Sequence, residues 1–298
     1  MIKLYLFGGF RAEDQQASPL AFATNKVRAL LAYLAATPGQ VHARQQVAHL
    51  LWPAATEAIA LRNLRTTLAR LRTTLGDPPW LAATRQEVQL AAEPHQLWID
   101  VAAFEQIWAH LQTGNGADQH PLKRGQPQPE DLHAFTGAAW AHNRLTWMAE
   151  AATLYQGEFL AGFFWQEENE GAFWQWRRQQ QEEYHAKALT LLDQLAAHAI
   201  TSRAYSAATA YARRQLALEP WREPAHRQLM LALAGNGDYS GALAHYAICQ
   251  QTVWAELGMA PEAETTALVQ RLQAERQQLS TPNEFSKTTP VMNRSLCG

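Results

Sequence analysis

The residues best placed to do chemistry lie in one run, Leu61-Arg62-Asn63-Leu64-Arg65-Thr66-Thr67-Leu68-Ala69-Arg70-Leu71-Arg72-Thr73-Thr74-Leu75-Gly76. The chemistry they suit is recognition of an anionic, hydrogen-bonding partner. Leu61, Leu64, Leu68, Leu71 and Leu75 recur at three- and four-residue steps, which at about 100° per residue gathers them into one stripe for a core to cover. The opposite face carries Arg62, Asn63, Thr66, Ala69, Arg70 and Thr73, with Arg65 and Arg72 on its flank. Arg and Asn can make bidentate bonds to guanine and adenine edges, Thr can bond or touch a methyl, and flanking Arg can neutralise phosphates. Four Arg stand between positions 62 and 72 with no acid among them, so the Glu or Asp partners that usually pair a solvated helix face are missing. An anionic ligand would relieve that repulsion. Taken alone, the run also reads as a basic face that is merely solvated.

The elements around this helix decide how it is presented. Residues 2 to 7 are rich in Ile, Leu, Tyr and Phe and lead into a stretch with Gly, Asp, Ser and Pro, which predicts a small sheet or hairpin. A helix follows from Thr24 or Asn25 to about Ala35, before Pro38-Gly39, and a second runs from about Ala43 to Leu51, ending at Trp52-Pro53. Thr56 is placed to cap the Arg-rich helix and Glu57 suits its positive end, while Gly76 and Asp77-Pro78-Pro79 stop it. Trp80 to Thr84, a polar tip at Arg85-Gln86-Glu87, and Val88 to Leu90 predict a hairpin, with Leu97-Trp98-Ile99 a further strand or an extended connection. This is the order of a winged helix-turn-helix. Its third helix would enter the major groove, and its hairpin, with Thr84 and Arg85 near the tip, would reach the backbone or the minor groove. Lys26 and Arg28, at the start of the first helix, are candidates for phosphate contact, and Trp52 is expected to pack.

After Asp100, a natural N-cap for a helix through Val101, Phe104, Ile107, Trp108 and Leu111, the pattern is helical throughout. The exception is 113–131, whose Gly and Pro content marks a flexible insertion. Tyr205-Ser206-Ala207-Ala208-Thr209-Ala210 and Tyr239-Ser240-Gly241-Ala242-Leu243-Ala244 share a Y-S-x-A-x-A pattern 34 residues apart, the period of tetratricopeptide (TPR) units. Pro220 and Pro261 fall near the end of the second helix of each unit. The expected fold class is therefore mainly α. An N-terminal winged helix-turn-helix (α+β) over 1–99 precedes an all-α TPR-like domain over 100–279, and 280–298 form a polar, disordered tail.

Composition narrows the function classes. The net charge of −2 hides an asymmetry: through Asp100 there are ten Lys plus Arg against seven Asp plus Glu, net +3, leaving −5 for the remainder. DNA binding would then depend on charge gathered on one face and not on a high pI. No run of about 18 apolar residues and no signal h-region occur, so a cytoplasmic protein with no membrane partner is expected. Two cysteines, Cys249 and Cys297, support neither a disulfide framework nor a thiolate metal site. No H-E-x-x-H, no G-x-S-x-G and no metal-spaced Cys pair is present, and Glu167-Glu168-x-Glu170 and Glu182-Glu183 read as solvated acids, so neither an enzyme nor a cofactor is expected. The aromatic group Phe159, Phe163, Phe164, Trp165, Phe173, Trp174 and Trp176 suits core packing or a domain interface; a pocket for an apolar ligand or a partner helix is the other reading.

In combination these segments resemble the SARP-type bacterial transcriptional activators, in which an OmpR-like winged helix joins a helical bacterial transcriptional activator domain. The resemblance spans about residues 2 to 275. It is carried by Asn25-Lys26-Val27-Arg28-Ala29-Leu30-Leu31-Ala32-Tyr33-Leu34, Leu50-Leu51-Trp52-Pro53 and the Leu61 to Gly76 run, then Trp98-x-Asp100-Val101-x-x-Phe104 and the stretch from Leu154 to Phe163. Leu218-Glu219-Pro220-Trp221-Arg222-Glu223-Pro224 and Glu256-Leu257-Gly258-Met259-Ala260-Pro261 complete it. It implies binding to direct repeats in promoter DNA by a self-associated protein, a possible homodimer, that touches RNA polymerase. By family pattern Arg62, Asn63, Arg65, Arg70 and Arg72 map onto the recognition helix. Some larger relatives continue into a nucleotide-hydrolysing domain; no G-x-x-x-x-G-K-[ST] occurs here, so the chain either works without that switch or is a piece of a longer protein. The rival reading is a TPR-like scaffold, or a fragment of a larger signal-responsive regulator, with weak or no DNA binding.

Overall fold

The structure, a computed structural model, describes residues 1–91, 93, 95–113, 137–163 and 171–280, and leaves undescribed the side chains of 113, 137–142 and 280. The insertion and the tail expected from the sequence therefore fall almost wholly outside the described residues, as do Phe164 and Trp165. Among the described residues no helix is long and apolar enough to cross a membrane.

The chain opens with β1 (Ile2–Tyr5) and β2 (Arg11–Glu13), which pair antiparallel. Helix α1 (Asn25–Ala36) follows, capped by the Thr24 hydroxyl, which accepts from the Val27 N–H at 3.4 Å. Next come β3 (Val41–Ala43), α2 (Arg44–Leu51) and α3 (Glu57–Leu75), then β4 (Leu81–Ala83), β5 (Glu87–Leu90) and β6 (Leu97–Ile99). β6 lies parallel to β1, closing a sheet in the order β2-β1-β6, and β3 joins the hairpin to give a second sheet, β3-β5-β4. Val27, Leu30, Leu31 and Leu34 of α1, Val47 and Leu51 of α2, and Leu64, Leu68 and Leu71 of α3 are buried, the three-helix core that the apolar spacing demanded. Two details differ from the sequence expectation. Thr56 occupies the cap position of α3 but makes no side-chain capping bond, and β3 is an additional strand.

Helices α4 (Asp100–Thr113), α5 (Gly137–Leu154) and α6 (Ala172–Thr201) come next. By compactness the chain divides after Leu192, so α4, α5 and most of α6 share a unit with the strands and α1–α3. The physical reason lies at Phe7, whose ring makes edge contacts with Phe104 of α4, Tyr155, and Tyr184 of α6 at 5.1 to 5.4 Å. The backbone joins in: Leu160 N–H donates to Leu6 O at 2.7 Å and Gly8 N–H to Glu158 O at 3.0 Å. Gly157 suits this close approach, because a Cβ on it would stand 3.1 Å from the Gly8 Cα, tighter than ordinary contact. Among the described members of the aromatic group, Phe159, Phe163, Phe173 and Trp174 are buried, and Trp176 packs edge-on to Tyr33 at 5.0 Å, so they serve as core between the winged helix and α4–α6.

The second unit holds the end of α6 with α7 (Tyr205–Leu218), α8 (Glu223–Gly235), α9 (Tyr239–Leu257) and α10 (Ala263–Ser280). The two copies of the repeat open α7 and α9, so Pro220 and Pro261 follow the first helix of each unit and not, as the sequence had suggested, the second. Ala208 packs with Ala199 and Ala232, and Ala242 with Met230, Ala234 and Leu272; these small side chains let paired helices approach closely.

Candidate nucleic-acid interface

Helix α3 begins at Glu57, whose Oε1 accepts from Gln45 Nε2 at 2.7 Å, and ends where Gly76 takes the left-handed conformation (φ 77°). Arg62, Arg65, Thr66, Ala69, Arg70 and Thr73 are exposed and Asn63 is half-buried, so the polar face is presented outward as the leucine stripe turns inward. Leu61, at the rim of the stripe, is only half-buried. Thr66 Oγ1 donates to Arg62 O at 3.2 Å and Thr73 Oγ1 to Ala69 O at 3.0 Å. Both hydroxyl protons are thus directed along the helix, which leaves the oxygen lone pairs and the methyls facing out as acceptors and apolar contacts.

The wing stands beside the C-terminal half of α3. Its tip is closed by Thr84, whose Oγ1 accepts from the N–H groups of Gln86 and Glu87 at 3.2 and 3.1 Å, leaving Arg85 exposed at the turn. Arg72 is half-buried: its Nη2 donates to Leu81 O at 3.2 Å and its Nε lies 3.7 Å from Asp77 Oδ1. The two cations at the start of α1 are also engaged by the fold. Lys26 Nζ donates to Leu51 O at 2.6 Å, capping α2, and stands 5.7 Å from the half-buried Trp52 ring; Arg28 lies 3.5 Å from Asn25 Oδ1 and over the Phe10 ring. Among the residues singled out from sequence, those of α3 share one helix face and Arg85 is exposed at the wing tip, while Lys26 and Arg28 are half-buried and make the contacts above within the fold.

One basic residue escaped the sequence reading. Arg44, first residue of α2, donates from Nη1 to Thr84 O at 2.8 Å, and its backbone N–H donates to Gln86 O at 2.8 Å. Burial, then the charges of Arg65 and Arg72, push its pKa below the ordinary arginine value. A signal was present: a cation in the first turn of a helix opposes the helix dipole and needs a specific partner to hold it there.

A cationic helix face bordered by a wing, followed by a helical repeat array, is the construction of a DNA-binding transcriptional regulator. The comparisons agree. The family described as "Transcriptional regulatory protein, C terminal" matches residues 20–88, and "Bacterial transcriptional activator domain" matches residues 132–273. The chain therefore carries a transcriptional regulatory domain followed by a bacterial transcriptional activator domain, the pair and order that the resemblance to SARP-type regulators implies. Among solved structures it resembles "Mycobacterium tuberculosis EmbR in complex with low affinity phosphopeptide", with a TM-score of 0.64 and 19% identity over 92% of this chain. It spans 65% of that longer chain, and the likeness is one of fold. No curated protein matches it by sequence.

Proposed function

We propose that the protein is a cytoplasmic, sequence-specific DNA-binding activator that reads direct repeats in promoter DNA through α3 and its wing. The observation that carries this reading is the outward polar face of α3, where exposed Arg62, Thr66 and Thr73 run along the centre, Asn63 and Arg70 lie to one side and Arg65 to the other. Arg62 and Asn63 are assigned to base edges, Thr66 and Thr73 to methyls and acceptor contacts, and Arg65, Arg70 and Arg85 to phosphates.

Self-association would raise the effective concentration of the second winged helix at a tandem site. A surface suited to it lies on α9, where Ile248 and Trp254 are exposed on a stretch, Tyr239 to Ala255, that contains no Lys, Arg, Asp or Glu. Contact with RNA polymerase is carried over from the family resemblance.

Selection of bound duplexes from a random-sequence pool by the full chain tests the proposal. Enrichment of a tandem site, abolished by Arg65→Glu, is the expected result. A folded chain that enriches nothing leaves the scaffold reading in its place.

A further inference from the structure

We propose that Arg44 and Arg72 are positioning residues that lock the wing onto α2 and α3, so that helix and wing meet DNA as one rigid reader. This rests on the DNA-binding reading above only for its consequence at DNA; the lock itself is a property of the free protein.

Strand β4 is an edge strand of three residues in the order β3-β5-β4. Its ladder bonds run through Trp80, whose carbonyl accepts from Ala91 N–H at 2.8 Å, and Thr84, whose N–H donates to Glu87 O at 2.9 Å. By strand alternation, the carbonyl of Leu81 therefore points off the free edge, where the ladder supplies it no donor. That carbonyl is the one Arg72 takes, and Arg44 takes the carbonyl of Thr84 at the other end of the strand. One arginine comes from the last turn of α3 and the other from the first turn of α2, so both ends of β4 are tied to the two helices of the helix-turn-helix.

Charge makes the same point. Arg44, Arg65 and Arg72 are close enough to lower the Arg44 pKa, and such like charges separate unless each is held. Arg44 and Arg72 are held by carbonyls, in half-buried positions; Arg65 is exposed. A guanidinium has a fixed fork of donors that an ammonium lacks, so the direction of the bond and not the charge alone maintains the pose. The phosphate-neutralising work then falls to Arg65, Arg70 and Arg85, and the lock fixes where Arg85 sits relative to α3.

The test uses the full chain with Arg44→Gln and Arg72→Gln, singly and together, read two ways. Without DNA, amide exchange at Thr84 and Ala91 is expected to rise at least about tenfold in the double variant while α1 amides keep their protection, the pattern of local opening. With the duplex enriched by selection, affinity falls but the slope of log affinity against log salt stays at the parent value. Direct phosphate binding by these two side chains predicts instead a slope shallower by about 0.9 for each arginine removed. Unchanged exchange at the wing, or that shallower slope, overturns the proposal. If the double variant loses protection in α1 as well, the single variants and Arg72→Lys, which keeps charge without the fork, decide it on the same two readings. Failure of the parent chain to bind any DNA would sink the proposed function and leave the exchange result standing.

Discussion

The N–H of Phe7 donates to Asp100 Oδ2 at 2.9 Å, across 93 residues of sequence. The same carboxylate accepts from Leu6 N–H at 2.9 Å and from Val101 N–H at 2.7 Å, so one buried side chain holds the end of β1 on the start of α4. The first sheet and the helices that follow it are fastened at this point, which is why the compact unit does not stop where the strands do.

Burial raises the Asp100 pKa to about 6 against the lowering by its three backbone donors. The unfolded value is about 3.9. The folded chain therefore holds the proton more tightly, and the stability this contributes is full below pH about 4 and lost as pH rises through about 6. Asp100→Asn cannot titrate, and its amide turns donors toward donors. Unfolding free energies of parent minus variant should fall by an amount on the order of 3 kcal/mol between pH 4 and pH 7. A difference that rises with pH would mean that the backbone donors outweigh burial.

In the second unit, a Cβ on Gly235 would stand 2.3 Å from Tyr205 Cε1. Gly235→Ala is expected to destabilise the chain by about 1 to 3 kcal/mol through overpacking. Tyr205 is the first residue of the repeat pattern, so the cost should shrink when Tyr205→Ala is present as well. Equal costs in both backgrounds in urea unfolding would show that the two residues are not coupled.

Cys249 is fully buried, and burial pushes its thiol up to about 12. Thiolate is the reactive form, so the folded chain should resist alkylation. In a Cys297→Ser background, iodoacetamide at pH 8 is expected to label the native protein at least about a thousandfold more slowly than the urea-unfolded one. Fast labelling of the native chain would contradict the packing of α9.

Base reading and phosphate neutralisation separate cleanly by substitution. Arg62→Ala or Asn63→Ala should narrow the difference between the selected site and an altered one by about 1 to 3 kcal/mol for each bidentate pair of hydrogen bonds removed. Arg65→Ala and Arg70→Ala should weaken both duplexes alike. Equal weakening on both duplexes for Arg62→Ala would remove it from the base-reading set.

What the sequence disclosed follows the range of the forces involved. The α3 face was legible because leucine and arginine alternate at a local period, and the stop at Gly76 because the left-handed cap is a local demand. The repeat was legible because Ala208 and Ala242 sit in the same pattern. β3 was hidden: Val41-His42-Ala43 has no pattern of its own, and it becomes a strand only because Val41 pairs with Gln89. Arg44 showed in the sequence only as a cation at a helix start; its partner, Thr84, is brought to it by that sheet. Lys26 looked like a free cation beside a helix start, and only the packing of α1 on α2 places Leu51 O within its reach.

The central claim is that α3 and its wing read DNA, and the most direct measurement is a fluorescence-anisotropy titration of the full chain against the selected tandem duplex and a scrambled one, repeated across a salt series. The account predicts a tight isotherm on the selected duplex only, with log affinity falling against log salt by about 0.9 for each phosphate engaged. A folded chain that binds neither duplex at low salt, or binds both equally, would contradict it.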